Sequence, residues 1–322
     1  MTGRGRSQPT WLEPMLAVLT SRRFSDPAWL FEPKLDGIRC LAFIRGGAVR
    51  LVSRNRKSLD EAYPEVAAAL AGLAHDAVLD GEIVALKAGV SSFQRLQQRS
   101  GLRGADAAAS PIRVHYYVFD ILHLDGRDLR QLPLLERREQ LRSVLHPAGP
   151  VRLTPFRRTA GEAYYRAACR RGLEGVIAKR AAGRYTGGRC DDWLKFKCVN
   201  EQEFVVGGYT DPQGSRTGLG ALLVGYHDDD GALRFAGKVG TGFGTETLTR
   251  LSGRLSRLER ATSPFADYRR ASPAIHWVRP TVVVQLGFQE WTAGGLLRQA
   301  RFLGVREDKP AQDVIRETPR AG

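Results

Sequence analysis

The chain reads as two successive folding units, an α+β unit built on antiparallel sheet and a smaller β-rich unit after it. Three observations predict this. Up to about residue 200, strand-like runs and helical stripes follow one another without a regular β-α-β alternation. From Phe204 onward the strands become short and are set between Gly, Asp and Pro turns. The composition, 43% hydrophobic and 26% charged, suits a chain that buries ordinary globular cores.

The elements follow in order. Ile38 to Ile44 and Ala48 to Ser53 flank Gly46-Gly47, the residues a tight hairpin reversal needs. Asp60 to Leu73 is alanine-rich with a helical apolar stripe. Ala77 to Leu86 and Ile112 to Leu122 are dense in β-branched, aromatic and aliphatic residues and read as buried strands. Gly104 to Ser110 is low in complexity and reads as a loop. Leu134 to Leu145 and Glu162 to Arg171 read as helices, and Val176 to Lys179 and Trp193 to Cys198 as strands. Beyond a boundary near Asn200 to Glu203, strands are expected at Phe204 to Tyr209, Ala221 to Tyr226, Leu233 to Val239 and Thr281 to Phe288. One helix, Glu246 to Leu258, interrupts them. Short strands around a single helix suggest a small β-barrel of the OB type. The expected domains are therefore 1–201 and 202–322.

No apolar run approaches the length that spans a bilayer, and Met1 to Thr10 has no apolar core of a secretory signal. The cysteines, at 40, 169, 190 and 198, form no C-x-x-C pair and lack metal-ligand spacing. They are expected as packed or surface thiols in a reducing cytoplasm. Net charge is +15, from 49 Lys and Arg against 34 Asp and Glu. The excess falls almost wholly on the first two hundred residues. A basic domain of this size attracts polyanions, with nucleic acid the default candidate, although an arginine-biased composition alone would look similar.

Eight of those cations are lysines: 34, 57, 87, 179, 195, 197, 238 and 309. Where a permanent charge serves, this chain uses arginine. An amine, unlike a guanidinium, can lose its proton and become a nucleophile. Lys34, in Glu32-Pro33-Lys34-Leu35-Asp36-Gly37-Ile38-Arg39, is the candidate. Attack on phosphorus requires a neutral amine, and an unperturbed lysine titrates near ~10.4, so neighbouring cations or a metal must favour the neutral form. Lys195 and Lys197 alternate on one strand and can share a face, which suits an α-phosphate or simply a solvated strand edge. Leu79-Asp80-Gly81-Glu82-Ile83 and Gly172-Leu173-Glu174-Gly175-Val176 each set an acid beside glycine at a strand start. Glu82 and Glu174 suit Mg²⁺ or a ribose hydroxyl, and the glycines suit close approach of backbone to a nucleotide. A plain turn entering a strand has the same pattern. Phe119, ending an aromatic strand, suits stacking on a base or packing in a core.

Taken together, Lys34-Leu35-Asp36-Gly37-Ile38-Arg39, Ser53-Arg54-Asn55-Arg56, Asp80-Gly81-Glu82, Phe119-Asp120-Ile121-Leu122, Glu174 to Lys179, Trp193-Leu194-Lys195-Phe196-Lys197 and Arg306-Glu307-Asp308-Lys309 resemble an ordered motif set. It is that of the ATP-dependent DNA ligases, of the covalent nucleotidyltransferase superfamily. The likeness runs from about Trp11 to Pro310. Ser92 to Gln97 and Gly237 to Phe243 further resemble the bacterial end-joining branch, here in its stand-alone form.

The resemblance implies an ATP-grasp-like nucleotidyltransferase domain of antiparallel sheets with helices, followed by an OB-fold barrel domain. It implies Lys34 as the adenylated lysine and Glu32 as reader of the adenine amine. Arg39 and Glu82 would hold the ribose, Phe119 would stack on adenine, and Arg54 would sit near the α-phosphate and the 5′-phosphate of the nick. Glu174, with Glu82, would place Mg²⁺ or Mn²⁺, and Lys179, Lys195 and Lys197 would hold phosphates. Arg306, Asp308 and Lys309 would face the ATP β- and γ-phosphates. The expected partners are nicked duplex DNA and a Ku-type end-binding protein, for a monomer acting in the cytoplasm at breaks in the nucleoid, with no membrane.

Two residues depart from the family pattern. Arg56 stands where many relatives have glycine, and Gln285 where glutamate is expected. The rival readings are an RNA ligase of the same superfamily, and a non-catalytic DNA-end-binding module.

Overall fold

The computed structural model describes residues 8–99, 101–212, 217–268 and 274–319. The chain divides into two compact units that meet in sequence between Cys198 and Val199. The first runs β1 (Met15–Leu19), β2 (Trp29–Lys34), β3 (Ile38–Arg45), β4 (Ala48–Ser53), α1 (Pro64–Ala71), β5 (Ala77–Lys87), β6 (Val90–Ser91) and α2 (Phe93–Leu96). It continues with α3 (Gly104–Ala108), β7 (Val114–Leu124), β8 (Arg127–Asp128), α4 (Leu134–Val144), β9 (Val151–Leu153), β10 (Arg157–Arg158), α5 (Gly161–Arg170), β11 (Gly175–Arg180) and β12 (Gly188–Lys197).

These strands form a five-stranded sheet, β1-β12-β11-β2-β10, and a seven-stranded sheet, β4-β3-β5-β7-β8, with β6 on β5 and β9 on β7. Pairing is antiparallel except for β1 with β12 and β7 with β9. Strand periodicity explains the layering, because successive side chains point to opposite faces. Leu41 and Phe43 of β3, Val78 of β5, Phe119 and Leu122 of β7, Met15 of β1 and Trp193 of β12 form one buried cluster joining the two sheets. The alternate residues Cys40, Ala42, Ile44 and Leu79 face the other way, onto a core shared with Val66 and Leu70 of α1. On the outside of the five-stranded sheet, Phe31, Val176, Ala178 and Phe196 pack with Ala168 of α5. Each buried Val, Leu, Ile, Phe or Met side chain among these contributes about 1.5–3 kcal/mol by burial.

Three local expectations change. Helix α1 begins only at Pro64, because the proline fits the first helical turn and disfavours helix before it. Gly104–Ala108 is a short helix rather than loop. The cysteines are not all free thiols: Cys169, near the end of α5, and Cys198, after β12, form a disulfide. A separation of 29 residues gave no sign of this, and the chain reversal through β11 and β12 supplies the proximity. Cys40 and Cys190 are free.

The second unit runs β13 (Asn200–Thr210), β14 (Leu222–His227), β15 (Leu233–Val239), α6 (Thr245–Ser256), β16 (Glu259–Arg260), β17 (Ile275–Phe288), β18 (Glu290–Trp291), β19 (Leu297–Arg298) and β20 (Arg301–Val305). The expected barrel does not close among the described residues. The six-stranded sheet is open, in the order β15-β14-β13-β17-β16 with β20 on β17, and β18 and β19 form a separate hairpin. Helix α6 covers its apolar face instead, packing Leu248, Leu251 and Leu255 against Phe204, Val206, Leu222 and Val224. Strand β17 starts six residues earlier than expected, because a register shift between Val206 and Gly208 of β13 lets it run past Pro280, which has no N–H to donate. No helix among the described residues is long and apolar enough to cross a membrane.

Candidate active site

The inner face of the five-stranded sheet carries most of the candidate residues in three rows. Lys34 of β2, Gly175 of β11 and Lys197 of β12 lie opposite one another. Glu32, Ile177 and Lys195 form the next row, and Leu30, Lys179 and Trp193 the third. Neighbouring strands are about 4.8 Å apart, so Lys34 and Lys197 flank a space of about 10 Å.

At the first row, the Lys34 amine pairs with the Glu174 carboxylate, which is nearly buried. The segment after Lys34 is fixed by close contacts. A Cβ at Gly37 would stand 2.2 Å from the Ile83 carbonyl oxygen, and one at Gly175 would stand 2.0 Å from that of Phe196. Both glycines admit a neighbouring strand, a role that for Gly175 stands beside the close approach to nucleotide expected of it. Asp36 accepts from the Phe93 N–H at 2.7 Å, and its own N–H donates to Ser91 Oγ at 3.0 Å. The Asp36 carboxylate therefore anchors the start of α2, whose N-cap Ser92 accepts from Arg95 N–H.

Farther in, Glu32 is 2% exposed, with Oε2 2.6 Å from Lys179 Nζ. Its Oε1 accepts no hydrogen bond. Lys179 Nζ lies 3.9 Å from the centroid of the Phe119 ring and 4.0 Å from that of Trp193. Burial pulls the Lys179 amine below its ordinary value, and the Glu32 carboxylate opposes this. Lys179 thus gathers with Glu32 and Phe119, two rows from Lys34.

The seven-stranded sheet supplies the facing wall. Arg39 Nε and Nη2 donate to Asp80 Oδ1 and Oδ2 at 2.5 and 2.6 Å, and Tyr185 Oη donates to the same carboxylate at 2.6 Å. Burial pulls the Arg39 guanidinium down, but Asp80 outweighs it and holds the group above its ordinary value. Arg39 also lies 4.6 Å from the Phe119 centroid. Glu82 is opposite Arg39 in register and is partly buried. Arg54 occupies the turn after β4, partly buried. In the second unit, Arg306 makes a two-pronged pair with Asp308 at 2.9 and 2.8 Å, and Lys309 Nζ donates to Glu203 at 3.1 Å.

A family model described as "ATP dependent DNA ligase domain" matches residues 14–197, and one for the "ATP dependent DNA ligase C terminal region" matches residues 215–309. The chain belongs to the ATP-dependent DNA ligases. It is 39% identical over 329 residues to the multifunctional non-homologous end joining protein LigD of Pseudomonas aeruginosa, covering 98% of this chain and 38% of that protein. Against LigD of Mycobacterium tuberculosis the identity is 40% over 315 residues, covering 95% and 40%. The chain thus spans about two fifths of the length of these relatives. A solved structure of a mycobacterial DNA ligase D complexed with ATP and MES matches with a TM-score of 0.70 at 37% identity, covering 95% of this chain and 98% of that one.

Both departures from the ligase pattern have local explanations. Arg56 adopts a left-handed backbone, φ 62°, as glycine would, and its guanidinium lies 5.0 Å from the Trp11 ring centroid. Gln285 is buried directly opposite Glu203, whose carboxylate takes the Lys309 amine. A glutamate there would set a second carboxylate against one ammonium.

Sequence reasoning missed two site-building arginines of the ligase. Helix α4 buries Leu134, Arg137, Arg138, Leu141 and Val144. Arg137 donates through Nε and Nη2 to both Asp120 oxygens at 2.8 Å, with both side chains fully buried. Arg138 Nη1 donates to the Phe119 carbonyl at 2.8 Å. The available signal was two arginines at core positions of a helical stripe, where apolar residues belong.

Proposed function

We propose that this chain seals nicks between a 5′-phosphate and a 3′-hydroxyl in duplex DNA, with Lys34 as nucleophile. One observation supports this above all. A lysine paired with a carboxylate sits in the same strand as a buried carboxylate oxygen, Glu32 Oε1, that accepts no hydrogen bond, and the Lys179 amine beside that carboxylate lies 3.9 Å from the centroid of the Phe119 ring. That spacing suits a nucleotide with its phosphate at Lys34 and its 6-amino purine edge at Glu32.

In the first step the neutral Lys34 amine attacks the α-phosphorus of ATP, a P–N bond forms and pyrophosphate leaves. Lys195 and Lys197 offset charge growing on the α-phosphoryl oxygens. The AMP then passes to the 5′-phosphate of the nick, freeing Lys34. Finally the 3′-hydroxyl oxygen attacks that 5′-phosphorus and AMP leaves. Arg54 is assigned to the phosphates at this junction, Arg39 and Glu82 to the ribose, and Phe119 to the base. Lys179 is assigned to the charge around Glu32 and to phosphate. Arg306, Asp308 and Lys309 are assigned to pyrophosphate release.

The carboxylate oxygens of Glu174 and Glu82 are hard donors suited to Mg²⁺ or Mn²⁺. No cluster of three or more His, Cys, Asp or Glu that could hold a metal exists among the described residues, so nucleotide phosphates would complete the ion's shell. Such a metal supplies charge neutralisation at phosphate.

Incubation with Mg²⁺ and α-labelled ATP or GTP tests the reading. Label from ATP should survive denaturation and disappear in Lys34→Ala. An unlabelled wild type, or full label in the variant, would sink it. Grip on nicked DNA is assigned mainly to charge, so binding should weaken steeply between about 50 and 200 mM salt. We also assign the chain, as a monomer, to cytoplasmic end joining at nucleoid breaks with a Ku-type end-binding protein, supported by its likeness to the LigD proteins. Failure of that protein to raise end ligation by the purified chain would remove this part.

A further inference from the structure

Arg138 is 2% exposed and reaches three separate parts of the first unit. Its Nη1 donates to the Phe119 carbonyl on β7 at 2.8 Å, and its Nη2 donates to the Thr154 carbonyl just after β9. The same Nη1 stands 3.5 Å from Glu32 Oε1 on β2. One guanidinium therefore ties the backbone of the residue assigned to stack on the base to the carboxylate assigned to read its edge. The two lie in different sheets.

On its other oxygen Glu32 meets Lys179 at 2.6 Å, so two buried cations clamp one carboxylate. Docking of α4 does not require this second arginine, since Arg137 already supplies a buried ion pair with Asp120. An uncharged residue of similar length would pack at 138 without the desolvation penalty a buried cation brings. What such a residue cannot do is fix the direction of Glu32 Oε1 relative to the Phe119 ring. A lysine would keep the charge but lacks the planar fork that reaches two carbonyls and a carboxylate together.

We propose that Arg138 is a positioning residue for purine selection. By holding Glu32 Oε1 at a fixed distance from the Phe119 ring, it lets the enzyme prefer a purine bearing a 6-amino group over one without it. The proposal rests on the assignment of Glu32 as acceptor from that amine.

The test measures covalent AMP or purine-nucleotide transfer to Lys34 in the full chain, in single turnover. ATP is compared with purine riboside triphosphate, which lacks the 6-amino group. The readout is the ratio of the two apparent affinities within each variant. Partial unfolding lowers both alike and leaves the ratio in place. Wild type should favour ATP, Arg138→Met should lower the preference about tenfold, and Arg138→Lys should lower it less. Arg138→Lys carries the test if the methionine variant does not fold. Equal losses for both nucleotides, or an unchanged ratio in both variants, overturn the proposal. Glu32→Ala separates the two assignments. If it abolishes the preference while the Arg138 variants keep it, the role of Arg138 alone is wrong. If Glu32→Ala also keeps the preference, the reading of Glu32 falls and the proposal with it.

Discussion

The Lys34 amine is held by the Glu174 carboxylate, the residue just before the glycine that faces Lys34 across the β2–β11 pair. An ammonium so paired is a poor nucleophile, because the partner favours the charged form. Drawing that carboxylate to a cation would release the amine for attack. Glu174→Gln also removes the carboxylate assigned to that cation, and this loss outweighs the freed amine, so lysyl-AMP formation should slow by about 10²–10³-fold, a size typical of losing one electrostatic group at a reacting centre. Single-turnover labelling measures it, and a rate within threefold (roughly) of wild type would deny Glu174 this part.

Arg137 and Asp120 form a fully buried two-pronged pair. Removing one partner strands a charge in the core, at about 3–5 kcal/mol. Arg137→Met and Asp120→Asn should each lower the unfolding free energy by that order in denaturant titration. The double variant should lose clearly less than the sum. Full additivity would show that the two side chains are not coupled.

Arg56 occupies a backbone region that costs a non-glycine residue about 1–2 kcal/mol. Its contact with the Trp11 ring returns about 0.5–1 kcal/mol. Arg56→Gly relieves the first and loses the second, so stability should stay within about 1 kcal/mol of wild type. If Arg56 meets a phosphate, the salt dependence of nick binding should become shallower by about one unit of slope. A large loss of stability would mean that the Trp11 contact holds the whole loop.

The Cys169–Cys198 bridge closes a loop of 29 residues in sequence separation. By the chain-entropy estimate, such a bridge stabilises by about 3–4 kcal/mol. Reductant should lower the melting temperature of the wild type and leave Cys169→Ser, already lower, unchanged. Intact mass under non-reducing conditions should show two thiols fewer than four. Four reactive thiols in the native protein would exclude the bridge.

Burial, then the charges of Arg152 and Arg113, lowers the pKa of His115 in β7. The unfolded chain takes up a proton near the ordinary value of 6.5 while the folded chain resists it. Below that value the unfolded state binds more protons, so stability falls as pH falls and is unaffected above it. The melting temperature should decline as pH falls below about 7, and His115→Gln should make the decline shallower. Parallel curves for the two proteins would contradict this.

Where many residues of the candidate site lie was legible because they stand in short runs. Lys34, Glu82, Glu174, Lys195 and Lys197 each stand in a strand or at its edge, where period-two alternation tells which residues share a face. The hairpin at Gly46-Gly47 and the helices α4 and α5 were legible for the same local reason. The packing role of Gly37 and Gly175 was not legible, since they make room for Ile83 and Phe196, which no local pattern names. The long strand β17 was cut short at Pro280, because the register shift that accommodates it lies on another strand.

By itself, the sequence determined which residue types were available and in what order: one amine in an acidic, glycine-broken segment, repeated acid–glycine strand starts and a paired-lysine strand. Tertiary structure alone decided what each faces. It put Arg137 on Asp120 and Arg138 between Glu32 and Phe119, joined Cys169 to Cys198, and left the second sheet open under α6. The physical reason is that local patterns fix only the direction of a side chain relative to its own backbone. The partner of a buried charge is set by which distant strand packing brings within about 3 Å.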